Sequence, residues 1–182
     1  MAEPQKQSHY PSPQFSEQVV SRTLSVMVDN EPGVLARVIG LFTARGYNID
    51  SLTVTETEHE KHVSRITIIT RGTPLVIEQI KHQLERLIPV HRVRDLTGEG
   101  ISLERELALV KVQGKGEKRI EALRLAEIFR AQVVDTSTEH FVFEVTGKAS
   151  KIETFIGIMR ELGMTEVSRT GIAAIGRGAS TL

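Results

Sequence analysis

With 182 residues, the chain has room for one domain or two small ones, and 40% hydrophobic and 25% charged residues are ordinary for a soluble globular protein. Lys and Arg number 23, as do Asp and Glu, so the net charge is zero. That balance argues against bulk electrostatic binding to nucleic acid or an anionic membrane, and leaves no charge barrier to self-association. Cysteine is absent, which excludes disulfides, thiolate metal sites and cysteine nucleophiles and fits a reducing cytoplasm. No apolar run approaches the roughly 18 residues of a membrane span.

The first stretch, Met1 to Gln18, is polar, holds Pro4, Pro11 and Pro13, and has no apolar segment of the kind a secretory signal needs. Residues 1–20 are therefore expected to form a flexible extension. Leu24 to Asp29 alternates like a strand. A turn at Asn30-Glu31-Pro32-Gly33 follows, and Val34, Leu35, Val38, Ile39, Leu41 and Phe42 recur at helical spacing up to Gly46. Tyr47–Thr57 and Val63–Thr70 read as two strands joined by a charged hairpin, Glu58 to His62. Leu75, Ile77, Ile80, Leu84 and Leu87 predict a second helix stopped by Pro89, and Val90–Leu96 a closing strand. The order is βαββαβ.

After Thr97-Gly98-Glu99-Gly100, whose glycines mark a linker, the order repeats. Leu107–Val112 predicts a strand, Ile120–Phe129 a helix, Val133–Ser137 and Phe141–Val145 a strand pair, Ile152–Leu162 a helix, and Met164–Thr170 a strand. Arg45-Gly46-Tyr47-Asn48-Ile49-Asp50 aligns with Arg130-Ala131-Gln132-Val133-Val134-Asp135. Gly72, Ile77, Ile80, Leu84 and Leu87 align with Gly147, Ile152, Phe155, Met159 and Leu162. Apolar spacing alone makes any two helices look alike, but six elements in one shared order favour duplication. The expected fold is α+β: two ferredoxin-like βαββαβ domains in tandem, over 21–97 and 98–182.

The loop between the first strand and first helix, Asp29-Asn30-Glu31-Pro32-Gly33-Val34-Leu35, carries the chemistry. Pro32 presets a helical φ, and Gly33 lets a backbone or ligand approach closely. The helix is expected to present unpaired N–H groups from Gly33, Val34 and Leu35, which with the positive end of the helix dipole suit a carboxylate. Asn30 could instead cap those amides, leaving a plain turn. The equivalent loop of the second half, Gly114-Lys115-Gly116-Glu117, has no such pattern, so it should not share the role.

The run Val26-Met27-Val28-Asp29-Asn30-Glu31-Pro32-Gly33-Val34-Leu35-Ala36-Arg37-Val38 resembles the opening of an ACT domain, an amino-acid-sensing module. Ile39-Gly40-Leu41-Phe42 and Arg45-Gly46-Tyr47-Asn48-Ile49-Asp50-Ser51-Leu52-Thr53-Val54 continue it. With Ser64-Arg65-Ile66-Thr67-Ile68, Arg105-Glu106-Leu107-Ala108-Leu109-Val110-Lys111, Ile128-Phe129-Arg130 and Ser168-Arg169-Thr170-Gly171-Ile172, the chain resembles the small regulatory subunit of acetolactate synthase. The resemblance covers about Arg22 to Gly178. It implies a non-catalytic subunit with no cofactor of its own, acting in branched-chain amino-acid biosynthesis. Its partner would be a large catalytic subunit, and thiamine diphosphate, Mg and FAD would belong to that partner alone. It further implies activation of the partner, feedback inhibition by valine, and a homodimer formed through side-by-side ACT domains. Valine would lie at that interface, with Asn30, Gly33, Val34 and Leu35 of one copy facing Asn48 and Ile49 of the other. Pro32 departs from the small polar residue expected there and should stiffen the loop.

Other readings are weaker. His59 and His62 in the acidic hairpin could hold a metal, but a solvated charged turn explains them, and no metal site is expected. Lys115-Gly116-Glu117-Lys118-Arg119 contains a glutamate in a neutral chain with no Trp, so it reads as a solvated helix start rather than a nucleic-acid patch. There is no Gly-x-Ser-x-Gly elbow, phosphate loop or dinucleotide fingerprint, so no catalytic residue is expected. The tail Gly171–Gly178 is either a fraying end or a contact with the catalytic subunit. The alternatives are a free-standing ACT-type sensor controlling another biosynthetic enzyme or transcription, and a small enzyme on the same scaffold.

Overall fold

The computed structural model describes residues 18–58, 60, 62–98 and 102–179. The first half contains β1 (Val20–Asp29), α1 (Val34–Arg45), β2 (Ile49–Glu58), β3 (Val63–Gly72), α2 (Pro74–Glu85) and β4 (Val90–Asp95). The second contains β5 (Ser102–Gln113), α3 (Glu117–Ile128), β6 (Gln132–Thr136), β7 (His140–Gly147), α4 (Ala149–Glu161), β8 (Met164–Arg169) and β9 (Ala173–Gly176). The two sheets have the same order, β2-β3-β1-β4 and β6-β7-β5-β8, with antiparallel pairing throughout. This is the expected α+β architecture of two ferredoxin-like βαββαβ units.

The local causes are legible. Gly46 ends α1 in the left-handed conformation at φ 68°, where its N–H reaches the Phe42 and Thr43 carbonyls. Thr73 caps α2 through its hydroxyl, 3.4 Å from the Val76 amide, with Pro74 in the first turn, where no N–H is needed. On β1, alternation sends Leu24, Val26 and Val28 into a core with Val34, Val38, Phe42, Ile66, Ile68, Ile77, Ile80 and Leu84. The second core is built from Ala108, Val110, Val112, Phe143, Phe155 and Met159 among others, and Phe143 meets Phe155 edge-on at 6.2 Å. No described helix is long and apolar enough to cross a membrane.

Each sheet has helices on one face only, and the other face of the first sheet is also buried. Thr23, Ser25, Thr67 and Ile69 point there and are all less than a tenth exposed. The cover comes from the other half of the chain. The first half of β5, Ser102–Arg105, pairs antiparallel with β9, and the Thr23 hydroxyl donates to Glu104 Oε1 at 2.7 Å. Between β8 and β9 the chain crosses to β2, where the Ile172 amide donates to Ser51 Oγ at 3.1 Å.

Three expectations change here. β1 begins at Val20 rather than Leu24, because residues 20–23 pair with 69–72 of β3 despite their polar composition. β5 begins at Ser102 rather than Leu107, because its first half belongs to the ribbon with β9. The tail is not a fraying end over 173–176, since the ladder with β5 holds it. The N-terminal extension up to residue 17, and Glu99 and Gly100 of the linker, lie outside the described residues.

One ion pair holds the second unit where the crossing leaves it. Arg169 at the end of β8 donates from Nε and Nη2 to both oxygens of Glu106, at 2.7 and 2.8 Å, and its Nη1 reaches Glu153 on α4. Glu106 is 4% exposed, and hydrogen bonds to it are the main reason the guanidinium pKa is raised. Arg169→Met should strand a buried carboxylate and cost about 3 kcal/mol in urea unfolding, whereas Arg169→Met with Glu106→Leu should recover most of that loss.

Candidate effector site

The site is built at the two ends of the first sheet. β1 runs into the loop, where the Asn30 amide donates to the His62 carbonyl at 2.7 Å and Asp29 meets His91 Nε2 at 2.6 Å. Gly33 stands at the head of α1 with φ 88°, a conformation glycine adopts without strain. No side chain caps the helix, so the capping role open to Asn30 is not taken. Among the described residues the Asn30 side chain has no partner, and neither do the Gly33 and Leu35 amides. The Val34 amide differs from the expectation: it turns back to the Glu31 carbonyl at 3.3 Å, and its side chain is buried in the core.

The electrostatics favour an anion at this helix end. The first turn of α1 contains no acidic residue. At α3 the corresponding turn carries Glu117, a built-in counter-charge for the helix dipole. The contrast between the two halves, expected from the loop sequences, therefore has a physical form. Leu35 is 37% exposed and Ile39 36%, so α1 also presents apolar surface beside its open end.

Asn48 and Ile49 lie elsewhere. Asn48 is exposed, and its amide nitrogen donates to Asp50 Oδ1 at 2.6 Å. An ionised carboxylate can only accept, which fixes the Asn48 oxygen as the free acceptor. The Asn48 carbonyl accepts from the Thr70 hydroxyl at 2.6 Å, and Asp50 pairs with Arg71 at 2.5 Å. Ile49 is half-buried against the first core and offers only part of its side chain outward. Asn30 follows a residue paired with Val63, whereas Asn48 precedes one paired with Thr70. Seven residues of β3 separate the two ends, roughly 23 Å at about 3.3 Å per residue. A single chain does not bring them together.

Of the hairpin histidines, His59 lies outside the described residues, and no group of three or more potential metal-ligating side chains occurs among those described. Sequence reasoning did not single out Asp50 or Arg71, which orient Asn48; a carboxylate two residues past an amide was the available signal.

Two family models match this chain: "AHAS small subunit-like ACT domain" over residues 24–92, and "Small subunit of acetolactate synthase" over 105–178. The chain belongs to the acetolactate synthase small-subunit family. A probable small subunit from Archaeoglobus fulgidus is 47% identical, with 87% of this chain and 98% of the relative covered. The isozyme 3 small subunit of Escherichia coli K12 is 44% identical, covering 86% of this chain and 96% of its own length. The crystal structure of the Thermotoga maritima small subunit superposes with a TM-score of 0.79 at 39% identity, over 88% of this chain and 99% of that one.

Around Gly33 the space is open, with nothing within 4 Å of a Cβ placed there. Gly33→Ala should therefore cost only the backbone strain of a left-handed alanine, about 1 kcal/mol by chemical denaturation, and leave the fold intact.

Proposed function

We propose that this chain is the non-catalytic regulatory subunit of a cytoplasmic acetolactate synthase: it activates a thiamine-diphosphate-dependent catalytic subunit and makes it sensitive to valine. Residues 21–97 form the effector-binding ACT domain, and residues 98–182 the domain that contacts the catalytic subunit. The observation that carries the reading is the uncapped start of α1, in a chain of this family. Free amides at Gly33 and Leu35 and no acidic residue in the first turn suit the carboxylate of a free amino acid.

The ammonium needs acceptors, and the nearer one is the Asn30 side-chain oxygen. The Asn48 oxygen is the second, but it sits at the far end of the same sheet, so it comes from another copy. β2 is the outer strand of the first sheet and pairs only with β3 among the described residues. If two copies join antiparallel along β2, a two-fold axis places Ile49 of one beside the Glu58 end of the other, where the Asn30 loop lies. Val54 on β2 is 43% exposed and, with Leu35 and Ile39, supplies apolar surface for such a joint. The aliphatic effector side chain then lies against Leu35 and the exposed part of Ile49. The ligand carboxylate meets dipoles rather than a fixed charge, whereas the ammonium at the Asn48 oxygen also lies near the Asp50 carboxylate.

Calorimetry on the full chain with valine, leucine and isoleucine tests the reading. Valine should bind and raise the dimer fraction, and the reading fails if none of the three gives heat or a shift in melting temperature. Gly33→Asp should weaken valine binding at least about tenfold, the 1.4 kcal/mol that a misplaced charge readily exceeds. Valine sensitivity retained in that variant would place the site elsewhere.

A further inference from the structure

Ser51 and Thr53 follow the Asn48–Ile49 corner on β2 and face the covered side of the first sheet. They hold a single residue of the other unit by both of its backbone groups. The Ile172 amide donates to Ser51 Oγ, and Thr53 Oγ1 donates to the Ile172 carbonyl, both at 3.1 Å. The approach leaves no room for a side chain at the preceding position. Gly171 has φ 79°, and a Cβ there would lie 2.9 Å from Ser51 Oγ and 3.0 Å from Thr53 Oγ1.

The contact is tied to structure at both ends. Upstream, the pairing of β2 with β3 skips from Ile49–Thr70 to Ser51–Ile69, leaving Asp50 as a bulge. A bulge sets the direction of the side chains that follow it. This one is held by the Asn48 amide and by Arg71, both on the Asp50 carboxylate. Downstream, the Thr170 amide donates to the Leu107 carbonyl at 3.0 Å, Arg169 is locked to Glu106, and β9 pairs with β5. The Asn48–Asp50 contact, the peptide link from Asp50 to Ser51, and the Ser51–Ile172 contact thus lead from the effector corner to a residue flanked by Thr170 and β9, both of which are bonded to β5.

We propose that Ser51 and Thr53 are coupling residues, which pass the state of the Asn48–Ile49 corner to the second domain through the Ile172 backbone. The proposal rests on reading that corner as half of the effector site. An ammonium drawn to the Asn48 oxygen arrives beside Asp50 and competes with the Asn48 amide and Arg71 for its carboxylate. The bulge then changes shape and re-aims Ser51. Because a hydrogen bond weakens steeply away from its preferred distance and angle, the two bulge shapes hold the crossing with different free energies. That difference is what allows a ligand in one domain to shift the placement of the other.

The test uses the full chain reconstituted with an acetolactate synthase large subunit, with valine as the probe. Binding to the wild type is measured first; its absence overturns the effector reading and the coupling together. Where the wild type binds, Ser51→Ala with Thr53→Val should keep the valine Kd within about twofold while half-inhibition needs about tenfold more valine, within the usual range of coupling between sites. Thr53→Ser retains the hydroxyl and should behave as the wild type. Unchanged inhibition in the double variant overturns the coupling role alone, and so does loss of valine binding, which would make the hydroxyls part of the pocket. Gly171→Ala reaches the contact from the other side and should uncouple in the same way, whether or not the double variant folds; wild-type inhibition by Gly171→Ala also overturns the proposal.

Discussion

A four-stranded sheet with two helices can cover only one of its faces with those helices. In the first half of this chain the second face is rich in hydroxyls, with Thr23, Ser25, Thr53 and Thr67 in adjoining rows. A face of that kind can meet water or a polar partner, but it cannot meet a bare apolar layer without stranding its donors. The β5–β9 ribbon and the crossing before β9 meet most of the requirement with a backbone and a carboxylate: Glu104 accepts from Thr23, and Ile172 answers Ser51 and Thr53, while Ser25 Oγ stays buried without a partner among the described residues. From this one constraint follow the length of β5, the existence of β9, the glycine at 171 and the joining of the two units.

The same constraint leaves the outer edge of β2 open. With the ribbon on one face and helices on the other, the first sheet keeps free backbone groups only along its outer strands, β2 and β4, and the β2 edge lies next to the exposed Val54. Open edges invite pairing with another chain. The second unit differs where it matters. Its outer strand β6 is exposed along its whole length, and α3 buries only Ala122 and Ala126 while turning Ile120 and Ile128 outward. The two units share their topology but not their surfaces, and Glu117 at the start of α3 supplies the counter-charge that the first turn of α1 lacks.

Two kinds of polar contact divide the work. Arg169 is bonded through two nitrogens to the buried Glu106 and through a third to Glu153, so it fixes geometry. Asn48, Asp50 and Arg71 lie at a bulge near the surface, where a bound cation can enter the same network. The rigid pair lies one residue before the crossing, and the adjustable trio lies one residue before Ser51. A switch needs such an arrangement: a stiff lever attached to a deformable corner.

The elements themselves were legible in the sequence because they follow from local periodicity. Alternation at Leu24, Val26 and Val28, helical spacing at Val34, Val38 and Phe42, and the stop at Gly46 depend only on neighbours along the chain. The repeated order of elements and the loop with Asn30 and Gly33 were readable for the same reason. The polar starts of β1 and β5, and the strand β9, were not, since Val20–Thr23 and Ser102–Arg105 become strands only when distant partners supply their hydrogen bonds. Nor could the sequence tell that Val34 turns its amide inward, or that Asn30 and Asn48 stand at opposite ends of one sheet. Periodicity specifies which side of an element is apolar, whereas the pairing of edges and the covering of a polar face depend on groups far apart in the chain, and only the folded arrangement brings those groups into contact.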